Sequence, residues 1–253
     1  MEHTRRDLKG KTVLVTGASG GIGAAVSQTI ARTGAHVLLH YNKNETAASA
    51  LAAALERAGG SVETIQADLT DDAQLESLCS RILSHHGSID IVVNNAGAIE
   101  RPSGWLEQSP SRIRAAIETN FTAHFLLTRL LAPSMIKKGY GRIVNISSTY
   151  GMTGSSQVLA YTCAKAALIT LTYSLARELG AHGITVNCVA PGNIDTAMTN
   201  SAPQAVLDWV RSTTPVGRLG QPDEVADAVM YLLFSPFVTG TVLVVDGGQL
   251  LNM

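Results

Sequence analysis

Tyr161 and Lys165 stand four residues apart in the stretch IVNISSTYGMTGSSQVLAYTCAK, which runs from Ile143 to Lys165. In a helix that spacing puts both side chains on one face, roughly 5 to 6 Å apart at Cβ. Free tyrosine titrates near about 10, too high for acid-base work at neutral pH, and a neighbouring ammonium favours the phenolate and lowers that value. A drop of about three units takes roughly 4 kcal/mol of preferential interaction with the charged form. One exposed cation falls short of this, so the expectation includes a second positive charge in the same site. Pairs at this spacing also arise by chance on solvated helix faces. A second motif has to give this one its weight.

That motif follows the first apolar run. Thr12 to Thr16 (TVLVT) has the uninterrupted, β-branched pattern of a buried parallel strand. Directly after it come Gly17-Ala18-Ser19-Gly20-Gly21-Ile22-Gly23 and a helical run through about Thr33. In an open parallel sheet ligands bind beyond the carboxyl ends of the strands, and glycines there let a helix N-terminus approach a pyrophosphate. Gly17, Gly21 and Gly23 fit that role. Their Gly-x-x-x-Gly-x-Gly spacing departs from the usual dinucleotide fingerprint, and a plain tight turn is the alternative.

The remaining elements alternate. Strands are expected at 35–40, 62–66, 89–93, 141–146, 185–189 and 241–245, and helices at 44–58, 71–85, 110–137, 157–181 and 222–234. Such alternation predicts an α/β fold, a doubly wound parallel sheet with helices on both faces. No repeat, low-complexity tract or linker interrupts it, so residues 1–253 are taken as one domain.

Composition narrows the function classes. The chain is 45% hydrophobic and 15% charged, the make-up of a compact globular protein. A net charge of −1 argues against nucleic acid or an anionic membrane as the main partner. Cys79, Cys163 and Cys188 form no C-x-x-C pair and suit a reducing compartment; Cys163 is read as a small buried thiol and not a nucleophile. The opening MEHTRRDLKGK has no apolar core, no stretch approaches 18 uninterrupted apolar residues, and a cytoplasmic enzyme without a membrane segment fits best. No metal site is read from the sequence.

Taken together, Thr16 to Gly23, Asn94-Asn95-Ala96-Gly97, Asn120, Ser148, Tyr161 with Lys165, and Pro191-Gly192 resemble a short-chain dehydrogenase/reductase over nearly the whole chain. The tail, Pro215 to Pro222 through Thr239-Gly240 and Asp246-Gly247-Gly248, is most similar to 3-oxoacyl-acyl-carrier-protein reductases. The resemblance implies a Rossmann-type fold with seven parallel strands. It further implies that Tyr161 exchanges a proton with the carbonyl oxygen, that Ser148 holds that oxygen, that Lys165 lowers the tyrosine pKa and binds the nicotinamide ribose, and that Asn120 holds a relay water. Read without it, Asn120 is only a weak helix former.

The same resemblance assigns cofactor contacts to Gly17, Ser19, Gly21, Ile22, Gly23, Tyr41, Asn42, Lys43, Asp68, Leu69, Asn94, Ala96, Gly97, Tyr161, Lys165, Pro191, Gly192, Ile194 and Thr196. Asp68 by itself could equally cap the next helix, and Asn94 could bond backbone across the strand ends. No carboxylate stands between His40 and Lys43, which leans toward NADP(H) over NAD(H), although Gly20 occupies a slot where NADP-preferring relatives often carry a basic residue. The implied substrate is a 3-oxoacyl thioester on acyl carrier protein or CoA, with Lys137-Lys138 as a candidate carrier patch; His182, where those reductases commonly show arginine, speaks against carrier recognition. A small ketone, sugar or steroid-like alcohol is the alternative, and a catalytically silent dinucleotide-binding regulator is the alternative of another class. A lid is expected at about 193–214, where Met198, Leu207, Trp209 and Val210 offer apolar surface. A homotetramer is expected, its geometry altered by the short Ser235 to Val238 segment.

Overall fold

The computed structural model describes residues 7–100 and 103–252; the first six residues of the opening MEHTRRDLKGK lie outside them. Seven strands form one parallel sheet: β1 (Thr12–Val15), β2 (His36–Tyr41), β3 (Ser61–Gln66), β4 (Ile91–Asn94), β5 (Gly141–Ile146), β6 (Ile184–Pro191) and β7 (Val242–Val245). Their order is β3-β2-β1-β4-β5-β6-β7. The chain winds outward from β1 to β3, then returns to place β4 on the other side of β1. That reversal opens a crevice beyond the carboxyl ends of β1 and β4, where a ligand can reach several loops at once.

The helices are α1 (Gly21–Ala31), α2 (Glu45–Arg57), α3 (Asp72–His86), α4 (Pro110–Ile117), α5 (Ala123–Lys138), α6 (Tyr150–Thr153), α7 (Leu159–Leu179), α8 (Ala197–Asn200), α9 (Gln204–Thr213) and α10 (Pro222–Leu233). Strand alternation divides the core between the two faces. Val13 and Val15 pack with Ile30 of α1 and Val229 of α10, whereas Leu14 packs with Leu78 of α3 and Leu131 of α5. Both sides of β1 are therefore apolar, which is why TVLV carries no polar alternation.

Helix α7 and the turn after it are long and apolar enough to cross a bilayer, but half of their most apolar window is buried within the protein. The helix packs against β5 and β6 as a core element. The expected helix over 110–137 is broken into α4, a π-turn at Glu118–Thr122, and α5. A π-turn widens the backbone by one residue and commonly marks a functional position; here it contains Asn120. Within 193–214, where a lid is expected, Leu207 and Val210 pack on Leu219 and Ala202, while Met198 and Trp209 remain exposed. Cys163 is exposed, contrary to the expectation of a buried thiol, because it lies on the outer side of α7; Cys79 and Cys188 are buried, and all three are free.

Candidate active site

The glycine turn is held by polar groups that anchor it to three strands. Thr16, the first residue past β1, accepts hydrogen bonds at Oγ1 from the amides of Asn95 and Ala96, both 2.9 Å. Asn95 Nδ2 donates to the carbonyls of Thr16 (2.8 Å) and Gly17 (3.2 Å). A Cβ on Gly23 would stand 2.2 Å from the Gly17 carbonyl oxygen, and one on Gly17 would stand 2.9 Å from Ala96 Cα. Those glycines are required because the backbone folds back on itself. His40 completes the brace. Its Nδ1 accepts from the Gly17 amide (3.2 Å) and its Nε2 faces the Ala67 carbonyl (3.1 Å), an arrangement that needs the neutral ring. Burial agrees, pushing its pKa down to about 4.

Asn94 departs from expectation. Its side chain is fully buried and donates to Thr128 Oγ1 (3.0 Å) and Asn145 Oδ1 (2.8 Å), inside the layer between the sheet and the helices. The residue that bonds across the strand ends is Asn95.

Four groups converge beyond β4 and β5. Tyr161 and Lys165 lie on α7, both buried, with Lys165 Nζ 5.6 Å from the phenol ring centroid. Ser147 and Ser148 follow β5, and Ser147 Oγ donates to the Lys165 carbonyl (2.8 Å), tying the strand end to the helix. Gly151 permits this contact, since a Cβ there would stand 2.8 Å from the Lys165 carbonyl carbon. Asn120 enters from the π-turn: Nδ2 donates to the carbonyls of Ala98 (2.8 Å) and Ala116 (2.9 Å), and Oδ1 accepts from the Ala98 amide (3.1 Å). Gly97 sits between them; a Cβ there would meet Asn120 Oδ1 at 2.8 Å and Lys165 Nζ at 3.5 Å.

The electrostatics correct one expectation. Burial pushes the Tyr161 hydroxyl up to about 12, with Tyr150 and Glu100 adding to the rise and a hydrogen bond with Ser148 opposing it. Lys165 does not bring it down here, because its ammonium is itself desolvated, which lowers it to about 8, and it donates to the Ile146 carbonyl at 2.8 Å. Tyr161 is thus held as the neutral, proton-bearing phenol.

Two further polar groups border the site. Glu100 Oε1 accepts from the Tyr161 amide (3.3 Å), while its Oε2 is buried without a partner among the described residues. His124, one turn beyond Asn120 and fully buried, places Nε2 at 2.6 Å from the Ala96 carbonyl and leaves Nδ1 unpartnered. No signal in the sequence marks Glu100, His124 or His40, since their partners lie 61, 28 and 23 residues away.

The remaining expected residues line the crevice rim. Tyr41, which ends β2, is half-buried, and Asn42 and Lys43 beyond it are exposed. Asp68 lies near both Asn42 and Lys43, and its carboxyl is held below the usual range by hydrogen bonds from Thr70. It does not cap α3; Asp71 does, accepting from the Gln74 amide at 3.0 Å. Leu69 and Ile194 are buried, and Ser19, Ile22 and Ala96 are partly buried. The Pro191 carbonyl accepts from the Thr149 amide at 2.9 Å. Gly192 packs where a Cβ would meet Asp246 at 2.8 Å, and Thr196 leans over Gly21, its Cγ2 3.2 Å from where a Cβ would be.

These residues fit a dinucleotide. Helix α1 begins after Gly20 with no side chain capping it, so its first amides remain available to a pyrophosphate. Gly21 adopts φ +54°, a conformation that side chains rarely take, and presents bare backbone under Thr196.

Comparisons with known proteins agree with this geometry. Residues 11–206 match the family model described as short chain dehydrogenase. An uncharacterized oxidoreductase, YmfI, of Bacillus subtilis (strain 168) is 39% identical over 242 residues, 94% of this chain and 98% of that protein. A 3-oxoacyl-[acyl-carrier-protein] reductase of Synechocystis sp. is 38% identical over 248 residues, 96% and 98% of the two chains. Among solved structures, a gluconate 5-dehydrogenase from Burkholderia cenocepacia J2315 in complex with NADP and tartrate superposes with a TM-score of 0.92 at 31% identity, covering 98% of each chain.

Proposed function

The chain belongs to the short-chain dehydrogenase family, oxidoreductases that use NAD(P) and act on CH–OH groups, and from that premise we propose that it reduces the carbonyl of a 3-oxoacyl thioester with NADP(H). The observation that carries the reduction is the neutral Tyr161 phenol in a buried pocket beside the Ser148 hydroxyl. Ser148 donates a hydrogen bond to the substrate carbonyl oxygen and fixes its position. Tyr161 Oη then gives its proton to that oxygen as negative charge develops there. The nicotinamide supplies the hydride and, when oxidised, a positive charge. Lys165 holds the ribose side of the site. Asn120 has both amide hydrogens on backbone carbonyls, so it shapes the loop after β4; a relay water is assigned to its backbone at the π-turn.

Preference for NADP(H) over NAD(H) rests on the end of β2, where Lys43 stands exposed and the segment from His40 to Asn44 carries no carboxylate; the acid beside it is Asp68, past β3. The thioester is supported by the 38% identical reductase. Lys138 adds little to carrier recognition, because it pairs with the buried Asp90 at 2.5 Å. A second reading, a keto-sugar or other hydroxylated ketone, is favoured by Glu100: a buried carboxylate oxygen beside Tyr161 accepts from substrate hydroxyls and offers nothing to an acyl chain.

The test is oxidation of NADPH and NADH with acetoacetyl-CoA set against small ketones, diketones and keto-sugars. NADPH-dependent turnover of the thioester is the expected result, and activity confined to keto-sugars transfers the assignment to the second reading. Tyr161→Phe is expected to keep cofactor affinity and lose on the order of a hundredfold or more in rate. Unchanged turnover removes Tyr161 from the mechanism.

We further infer one domain with a lid at 193–214, a reducing cytoplasmic location consistent with three free cysteines, and a homotetramer. Exposed Ile113, Phe125 and Tyr173 on neighbouring helices and the fully exposed Phe237 supply apolar surface for subunit contacts. Light scattering on the eluted peak should give four times the chain mass; a monomer refutes the assembly.

A further inference from the structure

Far from the crevice, three metal-ligating side chains meet at the opposite end of the sheet. His36 begins β2, Glu63 lies on the adjoining edge strand β3, and His86 ends α3. His36 pairs in register with Ser61 and Leu38 with Glu63, so His36, Ser61 and Glu63 share the face that α3 covers. Both imidazoles turn Nε2 toward the same carboxylate oxygen: His36 Nε2 lies 3.9 Å and His86 Nε2 3.5 Å from Glu63 Oε2. One ligand atom from each of the three lies within 4.8 Å of the others.

We propose that His36, Glu63 and His86 form a binding site for a borderline divalent transition-metal ion of the zinc class, with solvent completing the coordination.

The spacing is what such an ion requires. Metal–nitrogen and metal–oxygen bonds of about 2.0 to 2.1 Å in a tetrahedron set ligand atoms roughly 3.3 Å apart. Reaching that spacing takes closure of about 0.2 Å for His86 and about 0.6 Å for His36 toward Glu63, and at most about 1.5 Å for any other pair of the three, movements open to partly exposed side chains. Two of the three donors are imidazole nitrogens, which favours zinc, nickel or cobalt over magnesium or calcium. His36 is also oriented from behind, its Nδ1 2.7 Å from Ser61 Oγ; with the proton on Nδ1 and donated to that hydroxyl, Nε2 presents its lone pair to an ion. The neighbouring groups do not compete. Arg81 directs its guanidinium to the Gln66 carbonyl (3.0 Å), and His85 turns Nδ1 to the Arg81 carbonyl (2.8 Å).

An ion here joins β2, β3 and α3 at the open edge of the sheet. The length of β2 separates it from the crevice by roughly 16 Å, so it acts on stability and not on turnover. The experiment is calorimetric titration of the purified full chain with ZnCl2, paired with thermal melting, on the wild type, His86→Gln and the double variant His36→Asn/His86→Gln. These positions are partly exposed, and steady-state activity of each variant confirms that it has folded. One equivalent of Zn2+ should bind the wild type and raise its melting temperature, with at least a tenfold loss of affinity in His86→Gln and no stabilisation in the double variant. Absence of binding to the wild type overturns the site. So does binding that both variants retain, which marks an adventitious ion held elsewhere.

Discussion

At the residue scale, the site's chemistry turns on what keeps Tyr161 protonated. Burial is the largest cause, and the Glu100 carboxylate adds to it by opposing a second negative charge nearby. Glu100→Gln removes that charge while keeping an acceptor for the Tyr161 amide. The tyrosine pKa should then fall, and in the alcohol-oxidising direction, where Tyr161 works as base, the rising limb of kcat/KM against pH should move to lower pH. A profile that stays in place separates Glu100 from the tyrosine. Tyr161 and Lys165 were legible because their spacing is a local, helical fact. Glu100, His40 and His124 were not, because each gains its meaning from a partner across the fold. The same holds for His36, Glu63 and His86, which have no metal-ligand spacing along the chain and meet only through strand register.

At the element scale, short runs rich in apolar and β-branched residues announced the seven strands, with boundaries within about two residues of those observed. The inner strands β1, β4, β5 and β6, buried on both faces, leave little other pattern to write, whereas the edge strand β3 interleaves polar and apolar residues. What apolar patterning cannot convey is the polar ladder inside that core. Asn94 Nδ2 donates to Asn145 Oδ1, Asn145 Nδ2 donates to Thr172 Oγ1 (2.9 Å), and Thr172 donates to the Leu168 carbonyl (2.9 Å), so β4, β5 and α7 are cross-linked beneath the catalytic groups. The π-turn was equally hidden, since it exists to bring Asn120 onto the Ala98 loop. Asn145→Ala strands a donor on Asn94 and an acceptor on Thr172, each buried, at about 1 to 3 kcal/mol apiece. Urea unfolding should register a loss of roughly 2 to 5 kcal/mol, with turnover falling as α7 loses its register on β5. A loss below about 1 kcal/mol would mean that water or repacking replaces the ladder.

At the scale of the whole molecule, the two buried histidines that brace the crevice govern acid stability. Burial lowers His40 to about 4 and His124 to about 3, against 6.5 for an unburied ring. Protons therefore bind the unfolded chain more readily than the folded one throughout that interval. Their stabilising share is complete above about 6.5 and drains away as pH falls toward the folded values, on the order of 3 kcal/mol for His40 alone. Asp68, Asp90 and Glu224, held below the usual range by their partners, add their own loss only from about pH 4.5 downward, where the unfolded chain begins to protonate its carboxylates, so between pH 7 and pH 4.5 the histidines dominate. Urea titrations at pH 7 and pH 4.5 should accordingly differ by several kcal/mol. His124→Leu, which gives up one hydrogen bond to the Ala96 carbonyl but removes a ring with an unpartnered buried nitrogen, should shrink that difference whatever it does to stability at pH 7. If wild type and variant lose the same amount between the two pH values, His124 is not protonated on unfolding, and the acid sensitivity belongs to His40 and the glycine turn it supports.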